Sequence, residues 1–367
     1  MKNNITFLIT SLNGGGAQGV CVNVVNGLVE KGWNVTLIVL HLNNSVFHTR
    51  LDKRVNLVVL GVNNVRYAFS PLRKYIKDNN TDKIVIFNYE LTVLSVLIRY
   101  TIKNKFKIIA RNINTLSFKK KLVKSFWEKY IVMPLIDKFY LKADYIINQC
   151  EGMKKDLISI FDTIENKTGV IYNPVNKLVE NASFEKEYKK EDYILCVGRL
   201  EKQKAFHYAI NAFKEVNKRY PNIRLKIVGE GKLQNDLENL CKEKNIEDKV
   251  DFEGFKKDII PYYKKAKLTL LTSLYEGFPN VLVESITIGT PLVSFDCPSG
   301  PNEIIINGEN GFLVDYLDET DLINKINYCL DKSFDINSIQ KTSKRFKLSN
   351  IILNYEELIK NKNNKFY

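Results

Sequence analysis

Short runs of β-branched and other apolar residues alternate along this chain with longer stretches whose apolar residues recur at helical spacing. The runs fall at 5–10, 35–40, 55–60, 83–88, 107–110, 145–148 and 168–172, and again at 193–198, 224–229, 250–254, 268–273, 291–296 and 311–314. Most are apolar nearly throughout, as in Val35-Thr36-Leu37-Ile38-Val39-Leu40. Strands of that kind are buried on both faces, which means parallel sheets covered by helices. Strand–helix alternation predicts right-handed crossovers and doubly wound sheets, so the expected class is α/β with two Rossmann-like sheets in succession. Between the two series comes Asn173-Pro174, then a polar stretch from Asn176 to Asp192. Proline fixes its own φ and restricts the residue before it, so a turn or hinge is expected there. The domains are accordingly read as 1–172 and 173–345. A final pattern at 347–361 carries Ile351, Ile352, Tyr355, Leu358 and Ile359 on one face, which needs a core to pack against.

Composition narrows the class. A chain of 367 residues, 45% hydrophobic, is long enough for two full cores. No stretch has the apolar length of a membrane span. The apolar run Ile5 to Ile9 leads into a glycine-rich turn, so it reads as a first strand and not as a signal peptide. The cysteines at 21, 150, 196, 241, 297 and 329 are scattered without C-x-x-C spacing, which argues against structural zinc and suits reduced thiols in a cytoplasmic protein. The net charge of +14 is uneven: residues 1–175 hold 25 Lys and Arg against 12 Asp and Glu, and the remainder 30 against 29. A basic first half suits an anionic partner (nucleic acid, anionic lipid headgroups or phosphorylated substrates) or is simply a lysine-rich solvated surface.

Three motifs carry candidate chemistry. Asn13-Gly14-Gly15-Gly16-Ala17-Gln18 joins the first strand to a helix expected near Ala17. Glycines there let backbone N–H groups and the helix dipole meet an anion, though a tight turn would need the same residues. Gly14, Gly16 and Gly19 fit the dinucleotide spacing, but His41 follows the second strand where an acidic residue is expected. Arg199 and Lys204 lie just past the strand at 193–198, where open α/β sheets bind ligands. A planar fork and a mobile point charge together suit a diphosphate, and a solvated helix start would also place cations there. Glu276 and Glu284 follow the strand at 268–273. Gly277 and Pro279 keep Glu276 in the loop, and the helix expected from Pro279 or Asn280 places Glu284 on its second turn. Carboxylates so placed can accept hydrogen bonds from sugar or ribose hydroxyls; the other reading is two surface carboxylates.

In combination these stretches resemble the retaining glycosyltransferases of family 4, which have the GT-B fold of two Rossmann-like domains with a cleft between them. The resemblance rests on GGAQ (15–18), VIYNPV (170–175), ILCVGRLEKQK (194–204), IVGEGKLQNDL (227–237), VDFEGF (250–255), LYEGFPNVLVE (274–284) and DCPSGPNEIIINGENGFLV (296–314). It covers nearly the whole chain and is strongest from 168 to 315. It implies an acceptor-binding first domain, a donor-binding second domain, and a last segment, 346–367, that crosses back to the first. It implies that Arg199 and Lys204 bind the donor diphosphate, that Glu276 contacts the transferred sugar, and that Glu284 binds the ribose. Gly277, Phe278, Pro279, Asn280 and Val281 would touch sugar and phosphate, Gly229, Gly254 and Phe255 would line the nucleotide, and Gly15 and Gly16 would lie near the phosphates.

The chain departs from that pattern at Ala205 (commonly Gly), at His207 (commonly Asp), and at Gly19, where the GGAER motif has arginine. The strand end where many members carry a histidine reads Ala110-Arg111-Asn112-Ile113-Asn114, which makes Arg111 and Asn112 candidates for the acceptor or sugar side. His41, His48 and His207 read as surface residues. There is no D-x-D, so no metal is expected, and the two cations with the helix tip must stabilise the departing nucleotide. The D-x-P-x-G-P-x-E variant at 296–303 points to UDP-Gal, UDP-GalNAc or UDP-GlcNAc as substrate, with no further cofactor. The expected acceptor is a free or polyprenyl-diphosphate-linked glycan in O-antigen, capsule or related synthesis, met at the inner membrane face without a span. Residues 117–142 fit that setting. Lys119, Lys120, Lys121, Lys124, Lys129 and Lys138 interleave with an apolar stripe of Leu122, Phe126, Tyr130 and Met133 that faces either an anionic membrane or the core. Competing readings are a UDP-sugar epimerase, which the glutamate pair opposes, a nicotinamide enzyme, which the missing acidic residue opposes, and a non-enzymatic basic membrane or nucleic-acid binder.

Overall fold

The computed structural model of the protein describes residues 3–123, 125–185 and 188–361; Lys124 of the basic stretch lies outside them, as does the side chain of Leu122. The chain forms two compact units. One runs to Pro174 and takes in the last helix from Leu348; the other is Val175–Lys347. In the first unit the strands are β1 (Asn4–Ile9), β2 (Asn34–Val39), β3 (Asn56–Val59), β4 (Lys83–Ile86), β5 (Lys107–Arg111), β6 (Tyr145–Asn148) and β7 (Thr168–Val170). They pair in the order β3-β2-β1-β4-β5-β6-β7, every pair parallel. In the second unit β8 (Tyr193–Val197), β9 (Arg224–Val228), β10 (Val250–Gly254), β11 (Leu268–Leu271), β12 (Leu292–Phe295) and β13 (Gly311–Val314) pair as β10-β9-β8-β11-β12-β13, again all parallel.

Both sheets are doubly wound, as the strand–helix alternation predicts, and each strand lies within two residues of its apolar run at either end. In each unit the strand order reverses beside the first strand, between β1 and β4 and between β8 and β11. That reversal opens a crevice at the strands' carboxyl ends, where such sheets bind ligands.

The last helix, Leu348–Lys360, completes the first unit's core. Leu348, Ile351, Ile352, Tyr355, Leu358 and Ile359 pack into one cluster with Val20, Val24 and Leu28 of the helix Gly16–Glu30. Gly27 sets their approach, since a Cβ there would stand 2.6 Å from the Ile352 side chain. Trp33 Nε1 donates to Glu356 Oε1 at 2.8 Å and fixes the same helix from the loop beyond.

The apolar stripe expected in 117–142 divides. The stretch is not one helix: Leu116–Leu122 ends, and a π-helical turn, Glu128–Val132, leads into the helix Met133–Phe139. A π turn adds a residue and rotates the faces that follow. Met133 and Ile136 point into the core, while Phe126 and Tyr130 stand in solvent. All six cysteines are free and buried. Among the described residues no helix is long and apolar enough to cross a membrane.

Candidate functional site

Within the second unit, the loops leaving β8 and β11 flank the crevice. The β8 loop carries Gly198, Arg199 and Lys204; the β11 loop carries Ser273, Glu276 and Pro279. They are laced together. Leu274 N donates to Gln203 O at 2.9 Å, Gln203 Nε2 to Tyr275 O at 2.9 Å, and Thr272 Oγ1 to Lys204 O at 3.2 Å. This lacing delivers Lys204 Nζ to Glu276 Oε1 at 2.6 Å. The same carboxylate oxygen accepts from Ser273 Oγ at 2.6 Å. Glu276 is 7% exposed and the Lys204 side chain is largely covered, so the pair is withdrawn from water and screened less than a surface ion pair.

Close approach explains the glycines around this pair. A Cβ on Gly229 would lie 1.9 Å from the carbonyl oxygen of Gly198, so the β8 and β9 loops can touch only with glycine there. Gly229 N donates to Gly254 O at 2.9 Å, and Phe255 N to Glu230 Oε1 at 3.3 Å, which ties the end of β10 into the same edge. Phe255 is 61% exposed, an aromatic face left in solvent beside that glycine pair.

Arg199 is carried in the same loop, but its side chain extends into solvent with Glu201 Oε1 3.4 Å from its Nη1. Glu284 lies on the helix Asn280–Ile288, where the sequence puts it, half buried and held by a different partner: Tyr263 Oη donates to its Oε2 at 3.0 Å. Burial and the neighbouring Glu284 carboxylate push the Tyr263 phenol well above its ordinary range, so it remains a hydrogen-bond donor at any physiological pH. Phe278 and Pro279 are buried, and Gly277, Asn280 and Val281 half-buried, at that helix's start. Among the described residues, no group of three or more His, Cys, Asp or Glu side chains is close enough to share a metal ion.

Sequence reasoning missed Ser273 and Tyr263. Ser273 carries a readable signal, because a hydroxyl three positions before a loop carboxylate can reach back to it. Tyr263 is eight residues past the nearest motif, VDFEGF, and becomes visible only when its helix packs against Asn280–Ile288.

The remaining candidates belong to the first unit. Gly15 and Gly16 lie in an exposed loop where the helix Gly16–Glu30 begins. Arg111 and Asn112, by contrast, are sealed inside. Arg111 donates to Tyr355 Oη at 2.5 Å and to Asn173 Oδ1, and its guanidinium stands over the Phe87 ring at 5.4 Å. Burial lowers its pKa from the usual arginine range. Asn112 accepts from Tyr89 Oη and donates to Asn148 Oδ1 at 3.0 Å. With every such group paired, the network reads as internal scaffolding that joins the last helix to the sheet, and neither side chain has an open face for a sugar. His41 is half-buried; His48 and His207 are exposed.

Comparisons with known proteins give the family and the fold. Residues 180–363 match the family model described as glycosyl transferases group 1, and residues 14–177 that of glycosyltransferase family 4. An uncharacterised glycosyltransferase of Haemophilus influenzae is 29% identical over 85% of this chain and 86% of its own. A Campylobacter jejuni enzyme, the GalNAc-α-(1→4)-GalNAc-α-(1→3)-diNAcBac-PP-undecaprenol α-1,4-N-acetyl-D-galactosaminyltransferase, is 27% identical over 97% of this chain and 98% of its own. Among solved structures, Anabaena HepE in complex with UDP-glucose superposes with a TM-score of 0.76 at 21% identity, covering 97% of this chain and 99% of that one. Two parallel Rossmann-like sheets, the motifs at the edge of the second, and family models spanning both units make this chain a GT-B glycosyltransferase of group 1 and family 4.

Proposed function

We propose that the protein moves a hexose or N-acetylhexosamine from a UDP-sugar to a polyprenyl-diphosphate-linked glycan, with retention of anomeric configuration and without a divalent metal. It acts in the cytoplasm at the inner face of the plasma membrane, in surface-polysaccharide assembly. The observation that carries the reading is the buried Lys204–Glu276 pair at the strand-order reversal of the second sheet. The Campylobacter relative acts on an undecaprenyl-diphosphate-linked acceptor, and the Anabaena structure holds a UDP-sugar, which supports both substrate classes.

In this reading Lys204 and Arg199 take the diphosphate, and Phe255 covers the base. Glu284 takes the ribose and Glu276 the transferred sugar. The bond from the anomeric carbon to the diphosphate oxygen breaks as the acceptor hydroxyl attacks from the same face, and its proton passes to the departing phosphate oxygen. Negative charge grows on that phosphate in the transition state, and fixed cations there lower the barrier. Gly15 and Gly16 offer backbone N–H groups to the phosphates.

The test is nucleotide release from a panel of UDP- and GDP-sugars in EDTA. Release from one UDP-hexose or UDP-N-acetylhexosamine, with the product's anomeric configuration retained, is expected. Lys204→Ala should cut turnover on the order of 10²-fold, and Glu276→Ala should abolish it. Glu284→Ala should mainly weaken UDP affinity, because a ribose contact is present in ground and transition states alike. Turnover that requires added magnesium or manganese, or equal loss of UDP affinity in both glutamate variants, would overturn the respective assignment.

A further inference from the structure

An apolar ridge stands outside the first unit's core and no described residue covers it. Just before, within and after the π turn, Phe126, Trp127, Tyr130, Ile131 and Leu135 are 76%, 59%, 54%, 39% and 37% exposed. Their spacing of one, three and four residues puts them on one side, opposite the buried Met133 and Ile136. Phe126 and Tyr130 pack against each other, ring centroids 4.6 Å apart and planes tilted by 44°, so these two rings form one continuous apolar surface. Soluble proteins rarely leave apolar residues contiguous in this way without a partner.

The surrounding charges indicate what that partner is. The acidic groups of the segment are neutralised from the preceding helix: Lys120 Nζ lies 2.6 Å from Asp137, and Lys119 Nζ lies 3.2 Å from Glu90 and 3.8 Å from Glu128. Lys121, Lys129 and Lys138 are exposed and form no ion pair among the described residues; each lies along an aromatic ring, Phe118, Tyr130 and Phe139, at 5.5 Å. We infer that this ridge seats in the headgroup layer of an anionic bilayer, Trp127 and Tyr130 at the polar boundary, Phe126, Ile131 and Leu135 beneath it, and the three lysines against lipid phosphates.

Other occupants fit less well. A second copy docked ridge to ridge would oppose the same three lysines across its own axis. Nucleic acid would satisfy the lysines and an aromatic ring or two but leave Ile131 and Leu135 against phosphate and water. The inference rests on the lipid-linked acceptor proposed above, and its test is separable from that reading.

The full chain is mixed with vesicles of phosphatidylcholine alone and of phosphatidylcholine with phosphatidylglycerol, then sedimented. Binding to the anionic vesicles at low salt, released as salt rises, is expected. Phe126→Ser/Trp127→Ser/Tyr130→Ser and, separately, Lys121→Glu/Lys129→Glu/Lys138→Glu should each weaken partition on the order of 10-fold or more. The chain has two tryptophans, and Trp33 is buried, so Trp33→Phe makes Trp127 the sole indole. Its emission should shift to the blue on the anionic vesicles and be quenched by brominated lipid. These side chains are exposed, so the variants should keep their circular dichroism and their turnover on a water-soluble acceptor. A wild type that stays in the supernatant, a Trp127 emission that lipid does not move, or a lipid-independent dimer that the serine variant abolishes each overturns the inference. Sedimentation without nucleotide release from any donor leaves the ridge standing and removes the proposed reaction instead.

Discussion

Ala205 stands immediately after Lys204 with φ 47° and ψ 44°, left-handed backbone, at the start of the helix Phe206–Arg219. The family pattern that this sequence resembles has glycine there, which fits the backbone: an L-residue with a Cβ costs about 1–2 kcal/mol in that conformation. Thr272 Oγ1, bonded to the carbonyls of both Lys204 and Ala205, holds the strained link that aims the lysine. Ala205→Gly removes the strain but loses a buried methyl worth about 0.8 kcal/mol and adds about 0.4–1 kcal/mol of unfolded-state entropy. These terms nearly cancel. Denaturant unfolding should therefore place the variant within about 0.5 kcal/mol of wild type, whereas the same exchange inside a buried right-handed helix costs about 1.5–2 kcal/mol. A loss of that larger size would show that the left-handed link is not strained. The departure from glycine could be read in the sequence; its backbone angle could not, because nothing local to Ala205 demands φ > 0.

At the scale of elements, strands were the most legible feature. Runs such as Ile108-Ile109-Ala110 and Leu268-Thr269-Leu270-Leu271 are buried on both faces, so hydropathy alone marks them. The ridge at 126–135 was not legible as a surface. Its apolar residues are spaced as a core stripe would be, and only the π turn decides which of them face out. The extended segment before β8 holds a further unread feature. Lys190 Nζ donates to Thr290 Oγ1 at 2.6 Å just past the helix Asn280–Ile288. Burial, reinforced by Lys267, pushes its pKa down to about 7 from the usual 10.5. Between those two values the unfolded chain holds a proton that the folded chain lacks, so stability should rise with pH across this window. The slope cannot exceed one proton's worth, about 1.4 kcal/mol per pH unit. Lys190→Met should thus be more stable than wild type at pH 7, with the gap closing toward pH 10. Urea melts at both ends of the window check this, and a gap independent of pH would show that Lys190 titrates normally.

At the scale of the whole molecule, the motif-bearing second unit was the more readable, because several of its binding candidates are loop residues that directly follow strands. The first unit was legible in fold, but the surroundings of two of its candidates were not. Arg111 and Asn112 carry functional-looking groups at a strand end, yet their partners Tyr355, Asn173, Tyr89 and Asn148 come from places no local pattern connects. Tyr355 in particular is 244 residues from the arginine that it meets.

That last contact bears on how the chain is made. The helix that fills the first unit's core leaves the ribosome only after all of Val175–Lys347. At about 5–20 residues per second, roughly 170 intervening residues hold the nascent first unit incomplete for about 10–35 s. For that time Val20, Val24 and Leu28 lack their partners, and Arg111 lacks the tyrosine hydroxyl that helps compensate its buried charge. Synthesis of this enzyme should therefore depend on chaperones that hold apolar surface until that helix emerges. A chain ending at Lys347 retains both sheets, yet it should collect in the insoluble fraction on expression, and supplying Leu348–Lys360 as a separate peptide during refolding should recover soluble protein. A truncated chain that stays soluble and monomeric unaided would show that the first unit closes without its final helix.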